Sequence, residues 1–238
     1  MRGWEQRTRM VLEPRPGSTR TRAVLYPPAP WRLRGTAYVS LWHVEDVLLP
    51  GGCLPRAVDP VRMLGRVLVG TAVAIYEPGG VLAYNEALLA VAVHRGIRPA
   101  LTVPHIWVDH PASIAGARAM WSIPKQEASF QVLGRGTGQR PFEAQAVTPQ
   151  GQLIVDLRFR RTAPLPGRWP VSMTLVQGSE SGTDEPDVRV TEASASAGLS
   201  FGKATWRFGP HSPLSFLQGR APFLSLQLRG LKLRIGRV

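Results

Sequence analysis

Lysine is scarce in this sequence. Of its 29 basic residues only three, Lys125, Lys203 and Lys232, are lysines, and the rest are arginines. Cysteine is scarcer still. Cys53 stands alone in 238 residues, which excludes an internal disulfide and a cysteine-built zinc site and suits a reducing cytoplasm. Long apolar runs are also missing. Val67–Tyr76 and Ala87–Val93 have strand length, well short of the ~20 apolar residues of a membrane-spanning helix. Residues 1–23 carry no apolar stretch of the kind a secretory signal needs. The expected location is therefore the cytoplasm, with no membrane partner.

Acidic residues number 16, so the formal net charge is +13. That charge suits nucleic acid or an anionic small substrate equally. The arginines, however, are scattered from Arg2 to Arg237 with no dense run and no nucleic-acid-binding motif. No nucleic-acid partner is expected. The five histidines, His43, His94, His105, His110 and His211, are not spaced as ligands within one element, so no metal site is expected. A Walker-type glycine loop and a Gly-x-Ser-x-Gly motif are likewise absent.

The composition is otherwise that of a folded protein, 44% hydrophobic and rich in turn formers, with 24 glycines and 22 prolines. Residues 1–23 read as a polar arm and 24–238 as a single domain. "TAYVSLWH" alternates as a strand does. "VEDVLLP" reads as one helical turn. "RVLVGTAVAIY" and "VLAYNEALLAVAVH" are β-rich runs joined by "EPGG", a hairpin signal. "LTVPHIWVD" is a strand broken by Pro104. One helix is predicted near 111–121, with Pro111 at its first position, Asp109 or His110 as its cap, and Ile114, Ala117 and Trp121 on one face. "EASFQVL", "FEAQAVT", "QLIVDLRFR", "VSMTLVQ", "KATWRF" and "LSLQLRGLKLRI" read as further strands. In the third of these Leu153, Val155, Leu157 and Phe159 share a face, and in the last Gly230 marks a bulge. "GSESGTDEP" reads as an acidic loop. The fold class is mainly β (α+β), a mostly antiparallel domain with one or two helices.

In a chain that uses arginine almost everywhere, a lysine invites a chemical reading. Only a primary amine condenses with a ketone or aldehyde to form a Schiff base; a guanidinium stays protonated and cannot. Lys125 lies in "WSIPKQEASF", directly after Pro124, in a mostly apolar or small-residue stretch. A structural lysine at a strand start is the plain alternative.

The segment "GARAMWSIPKQEASF" resembles the signature of the acetoacetate decarboxylase superfamily, an arginine followed after a few residues by Pro-Lys. The resemblance implies that Lys125 is the Schiff-base nucleophile and matches Arg118 to the arginine. "GVLAYNEALLAVAV" resembles the family's Tyr-x-Glu strand, which implies an active-site role for Glu86 and a place beside it for Tyr84. "WRLRGTAYVSLW" resembles the first strand, where an arginine lines the cavity; Arg34 is the better match and Arg32 its rival. There are departures. Ala117 and Ala119 flank Arg118 in place of Gly and Glu, Gln126 stands where the decarboxylases carry a second lysine, and Thr71 falls where a cavity carboxylate is expected. On a strand, residue 126 points opposite to Lys125, so Gln126 need not face the cavity.

From this resemblance follow a curved antiparallel sheet closing into a barrel-like cavity, a homo-oligomer, no cofactor, and a small anionic keto-acid substrate. The implied activity is Schiff-base β-keto acid decarboxylation. Aldol or dehydratase chemistry on a related keto acid, and a non-catalytic small-molecule-binding role, remain alternatives.

Overall fold

A computed structural model describes residues 24–134, 141–178 and 188–236. The expected N-terminal arm and all of the acidic loop beyond Gly178 lie outside these residues. Strands β1 (Trp31–Val44), β2 (Asp59–Pro60), β3 (Arg62–Met63), β4 (Arg66–Tyr76), β5 (Tyr84–Arg95) and β6 (Arg98–Val108) precede the helix α1 (Pro111–Trp121). After it come β7 (Lys125–Glu127), β8 (Ser129–Leu133), β9 (Phe142–Val147), β10 (Leu153–Pro164), β11 (Trp169–Gly178), β12 (Val188–Phe208) and β13 (Leu224–Ile235). Single 3-10 turns occupy Asp46–Leu48 and Ser215–Leu217. No helix among the described residues is long and apolar enough to cross a membrane.

All thirteen strands of the described residues belong to one curved sheet, in the order β11-β6-β5-β4-β1-β13-β12-β10-β9-β8, with β2, β3 and β7 on side pairings. Because β11 also pairs with β12, the first seven strands of that order form a ring. The ring is stitched by antiparallel ladders except at β6–β11, where a single parallel pair, Leu101 with Leu175, makes a seam. The remaining strands β10, β9 and β8 extend from β12 as a wing, and a separate core packs beneath them around Tyr38, Trp42, Phe142, Phe159 and Trp206. In that core Tyr38 stacks on Phe142 with ring centroids 3.7 Å apart.

The hairpin predicted at "EPGG" joins β4 to β5 in register, Tyr76 opposite Tyr84. Pro104 does not end β6. The β5–β6 register shifts between Leu89 and Val91, so the strand runs through as a bulge around residues 103 and 104, the setting in which a sheet tolerates a proline that cannot donate. Gly230 does sit at a bulge, with φ 53° and a register shift of β13 against both neighbours. In β10 a register shift between Leu153 and Val155 breaks the expected face: Ile154 and Val155 are both buried, and the alternation resumes with Leu157 and Phe159.

β1 approaches β4 closely at Gly35. A Cβ added to Gly35 would lie 1.9 Å from the Ile75 carbonyl oxygen of β4. That oxygen is backbone and cannot swing aside as a side chain would. Gly35→Ala is therefore expected to destabilise by about 2–3 kcal/mol, in the range of overpacked cores. At Gly51 an added Cβ meets nothing within 4 Å, and Gly51→Ala is expected to stay within about 0.5 kcal/mol. Urea midpoints of the two variants check this; equal midpoints would contradict the packing described.

Candidate active site

The ring encloses a cavity of about 380 Å³. Its walls are the inward side chains of β1, β4, β5, β6, β11, β12 and β13, with Trp121, Ile123 and Lys125 entering from the helix and the strand after it. Nearly all are apolar. The polar side chains at the wall are Thr71, Tyr76, Tyr84, Glu86 and Lys125, and no arginine or second lysine is among the described lining residues.

Lys125 reaches this cavity through a short βαβ-like path. β6 ends at Val108, α1 crosses back, and β7 returns parallel to β6 with Lys125 beside Ile106. The helix starts as expected on Pro111, but neither candidate side chain caps it. His110 occupies the cap position without a side-chain bond, and Asp109 instead accepts bonds from the backbone and side-chain amides of Asn85 at 2.8 and 2.6 Å. This clamp ties the start of β5, with Tyr84 and Glu86, to the start of α1. At its other end the helix stops on Ser122, in the left-handed region at φ 53°. Ile123 and Pro124 then carry the chain into β7. Close packing fixes the helix against β1: at Gly116 an added Cβ would lie 2.5 Å from the Trp31 ring, which also meets Trp121 edge-on at 4.9 Å.

The Lys125 ammonium donates to Glu86 Oε2 at 2.7 Å, to the Tyr84 hydroxyl at 3.0 Å and to the Ser113 hydroxyl at 3.0 Å. Its three protons thus have three partners, and the Nζ also lies 4.7 Å from the centre of the Tyr84 ring. Lys125 is 4% exposed and Glu86 5%, so the pair is a buried ion pair. Tyr76 donates to the other carboxylate oxygen of Glu86 at 3.3 Å. Burial, and next the negative charge of Glu86, push both the Tyr76 and Tyr84 phenols well above the ordinary tyrosine value. Both remain neutral phenols across the physiological range.

Lys125, Glu86 and Tyr84 therefore come together. The two arginines do not join them. Arg34 is exposed, as is Arg32, because β1 alternates and its inward positions are taken by Trp31 and Leu33. What β1 contributes here is backbone: the carbonyls of Arg32 and Arg34 accept from Val81 and Glu77 of the β4–β5 hairpin. Among the described lining residues the one carboxylate, Glu86, already holds Lys125, so a guanidinium turned inward there would be a buried charge without a partner. Arg118 is exposed as well. It sits in the last turn of α1 beside the buried Ala117, where a cation complements the helix dipole rather than a substrate. Gln126 is exposed, as strand alternation required. Two residues of the site went unrecognised. Ser113 had a signal, since 113, 117 and 121 lie four apart and a serine on the buried face of a helix calls for a hydroxyl partner. Tyr76 had a weaker one, as the last inward position of β4 facing Tyr84.

A family model for acetoacetate decarboxylase matches residues 53–179. The chain belongs to the acetoacetate decarboxylase family. Solved structures share the fold at low sequence identity. An acetoacetate decarboxylase from Legionella pneumophila aligns with a TM-score of 0.66 at 18% identity, covering 92% of this chain and 90% of its own. An acetoacetate decarboxylase-like enzyme from Sphingomonas wittichii RW1 aligns at 0.62 and 17% identity, covering 87% and 91%. The enduracididine biosynthesis enzyme MppR, complexed with the condensation product of pyruvate and imidazole 4-carboxaldehyde, aligns at 0.61 and 19% identity, covering 88% and 89%. Among curated proteins none matches.

The raised phenols give a pH dependence. An unfolded tyrosine loses its proton near pH 10. Above that pH the unfolded chain has released protons that folded Tyr76 and Tyr84 still hold, so stability falls as pH rises. In an absorbance titration at 295 nm, Tyr76 and Tyr84 are expected to ionise only as the circular dichroism of the fold is lost. Reversible ionisation of both near pH 10 with the fold intact would contradict their burial beside Glu86.

Proposed function

We propose that the protein is a Schiff-base lyase acting on a β-keto acid, with Lys125 as nucleophile and Glu86 as proton shuttle. The observation that carries this reading is the Lys125 ammonium at the cavity wall, fixed by Glu86, Tyr84 and Ser113. A proton passes from Lys125 to Glu86 when a ketone displaces the pair, leaving a neutral amine next to the carbonyl carbon. Attack gives a carbinolamine. Glu86, now protonated, returns its proton to the departing hydroxyl, and water leaves an iminium. The C–C bond to the carboxylate then breaks, its electron pair moves through the adjacent carbon to nitrogen, and CO₂ departs from an enamine. Proton delivery to carbon through Glu86 and hydrolysis by water release the ketone and restore the amine. The net change consumes one proton for each CO₂ released.

The charge inventory favours decarboxylation over aldol or dehydratase chemistry. In an α-keto acid reaction the substrate carboxylate persists to the product and needs a lasting cationic partner. No arginine is among the described residues that line this cavity, and Lys125 is spent in the Schiff base. A β-keto acid instead loses its charge as neutral CO₂. An apolar wall that does little for the carboxylate therefore discriminates in favour of the transition state. Glu86 offsets the iminium charge, and the neutral Tyr84 and Tyr76 phenols supply hydrogen bonds at the same end.

Borohydride reduction in the presence of a β-keto acid, followed by peptide mass mapping, tests the assignment. One covalent adduct is expected on Lys125, with none on Lys203 or Lys232. The Lys125→Arg variant is expected to lose adduct and CO₂ release by at least ~10³-fold, because a guanidinium cannot form the intermediate. Turnover that survives in Lys125→Arg would remove Lys125 from the chemistry.

A further inference from the structure

Among the described lining residues the charged groups and the phenols gather at one end of the cavity, and its shape follows from β4 and β5. The inward residues of β5 read Tyr84, Glu86, Leu88, Ala90, Ala92, and across the ladder Glu86 faces Ala74, Leu88 faces Ala72 and Ala90 faces Gly70. Moving away from Glu86 the floor is thus made, apart from Leu88, of small apolar residues. It runs from Glu86 to Ala92, ~20 Å at roughly 3.3 Å per residue. The wall opposite uses the same device: Ala193 and Ala195 of β12 face inward where a core strand would carry Val or Ile. Small residues on facing strands leave a slot, and Leu41, Leu68 and Leu101 line its far part, with Leu41 opposite Gly70 and Leu101 opposite Ala92.

The slot is larger than a four-carbon keto acid requires. At roughly 30 Å³ per water-sized group, 380 Å³ accommodates about a dozen non-hydrogen atoms, and acetoacetate fills about half of that. The unfilled part is the apolar part. Thr71 is the one polar residue among the described lining of that part, and its hydroxyl already accepts from the Trp42 indole at 3.0 Å, so a carboxylate placed there would meet no charged side chain among the described residues and would lose its hydration uncompensated.

We infer that the substrate is a β-keto acid whose ketone carries an unbranched alkyl or aryl-alkyl chain, seated along the β4–β5 floor, and that the product is the corresponding apolar methyl ketone. This rests on the Schiff-base reading above and adds the identity of the substituent. For a chain R the reaction is R–CO–CH₂–COO⁻ + H⁺ → R–CO–CH₃ + CO₂. The C–C bond to the carboxylate breaks, and the enamine carbon gains the proton. The carbonyl end binds at Lys125, and R displaces water from the slot. Each methylene so buried raises affinity about fourfold. Ala90 sets the length that fits, since a larger side chain at that position blocks the slot beyond Leu88.

The test is a chain-length series with the full-length protein, using freshly hydrolysed acetoacetate, 3-oxohexanoate, 3-oxooctanoate and 3-oxodecanoate, and reading CO₂ release and the borohydride-trapped mass. The expected result is kcat/KM rising at least ~100-fold from acetoacetate to the longer acids, consistent with several buried methylenes. In Ala90→Phe the ratio of long-chain to short-chain kcat/KM is expected to collapse. Activity that is best with acetoacetate, or flat with chain length, overturns the inference while leaving the Schiff-base reading intact. Absence of any adduct overturns the Schiff-base reading instead. Binding of the neutral ketone 2-undecanone, followed by calorimetry in the wild type and in Lys125→Met, then decides the slot on its own. Saturable binding that Ala90→Phe weakens supports the apolar occupant, and no binding in either protein overturns it.

Discussion

The buried pair of Lys125 and Glu86 governs the rest of the site. Two opposite charges at 2.7 Å inside an apolar ring are tolerable only together, and only with their remaining hydrogen-bonding capacity filled. Tyr84, Ser113 and Tyr76 fill it, and each comes from a different element: β5, α1 and β4. The pair therefore demands that the hairpin, the helix and the short strand β7 all stand in register. The Asn85–Asp109 clamp and the tight seat of Gly116 on Trp31 supply that register from outside the cavity. The same logic keeps arginine out. With one carboxylate inside and one amine already paired to it, any further cation is better placed on the surface, which is where Arg32, Arg34 and Arg118 are found.

Around that pair the ring is built to be partly empty. A fully packed interior would gain about 25 cal/mol for each Å² of apolar surface removed from water, and the ring forgoes this wherever Gly or Ala faces inward. Where the wing packs on the ring, a dense aromatic core forms from Tyr38 and Trp42 of β1, Trp206 of β12 and the wing residues Phe142 and Phe159. Packing and cavity are thus divided between two sides of the ring: one is buried tightly against the wing, and the other holds space for a ligand.

Strong patterns were legible in the sequence. The hairpin at "EPGG", the helix at Pro111–Trp121 and the bulge at Gly230 each rest on local chemistry that the fold does not override. Lys125, Glu86 and Tyr84, which the superfamily resemblance and the rarity of lysine single out, meet at one wall of the cavity. The first half of β12 was not found. Its "EASASAGLSFG" stretch lacks the alternation of large apolar and polar residues because its inward positions are alanines facing the cavity, so the feature that makes the slot also hides the strand. Arg34 was placed inside because motif matching cannot tell which side of a strand a residue faces. Counting alternately from Trp31 would have turned it outward. Ser113 was overlooked because a hydroxyl within a helix has many ordinary uses, and only the three-dimensional arrival of Lys125 gives it a distinctive one.

The most direct test is a double-mutant cycle on the pair, read by equilibrium unfolding. If the ammonium and carboxylate compensate each other in an otherwise uncharged cavity, Lys125→Met and Glu86→Leu each leave one buried group without its partner and cost about 3–5 kcal/mol. The double variant, whose two replacements are both apolar, is then expected to lose far less than the sum, with a coupling of at least ~2 kcal/mol. Losses that are small and additive within about 0.5 kcal/mol would mean that the two charges do not meet in an apolar interior, and would contradict the site described.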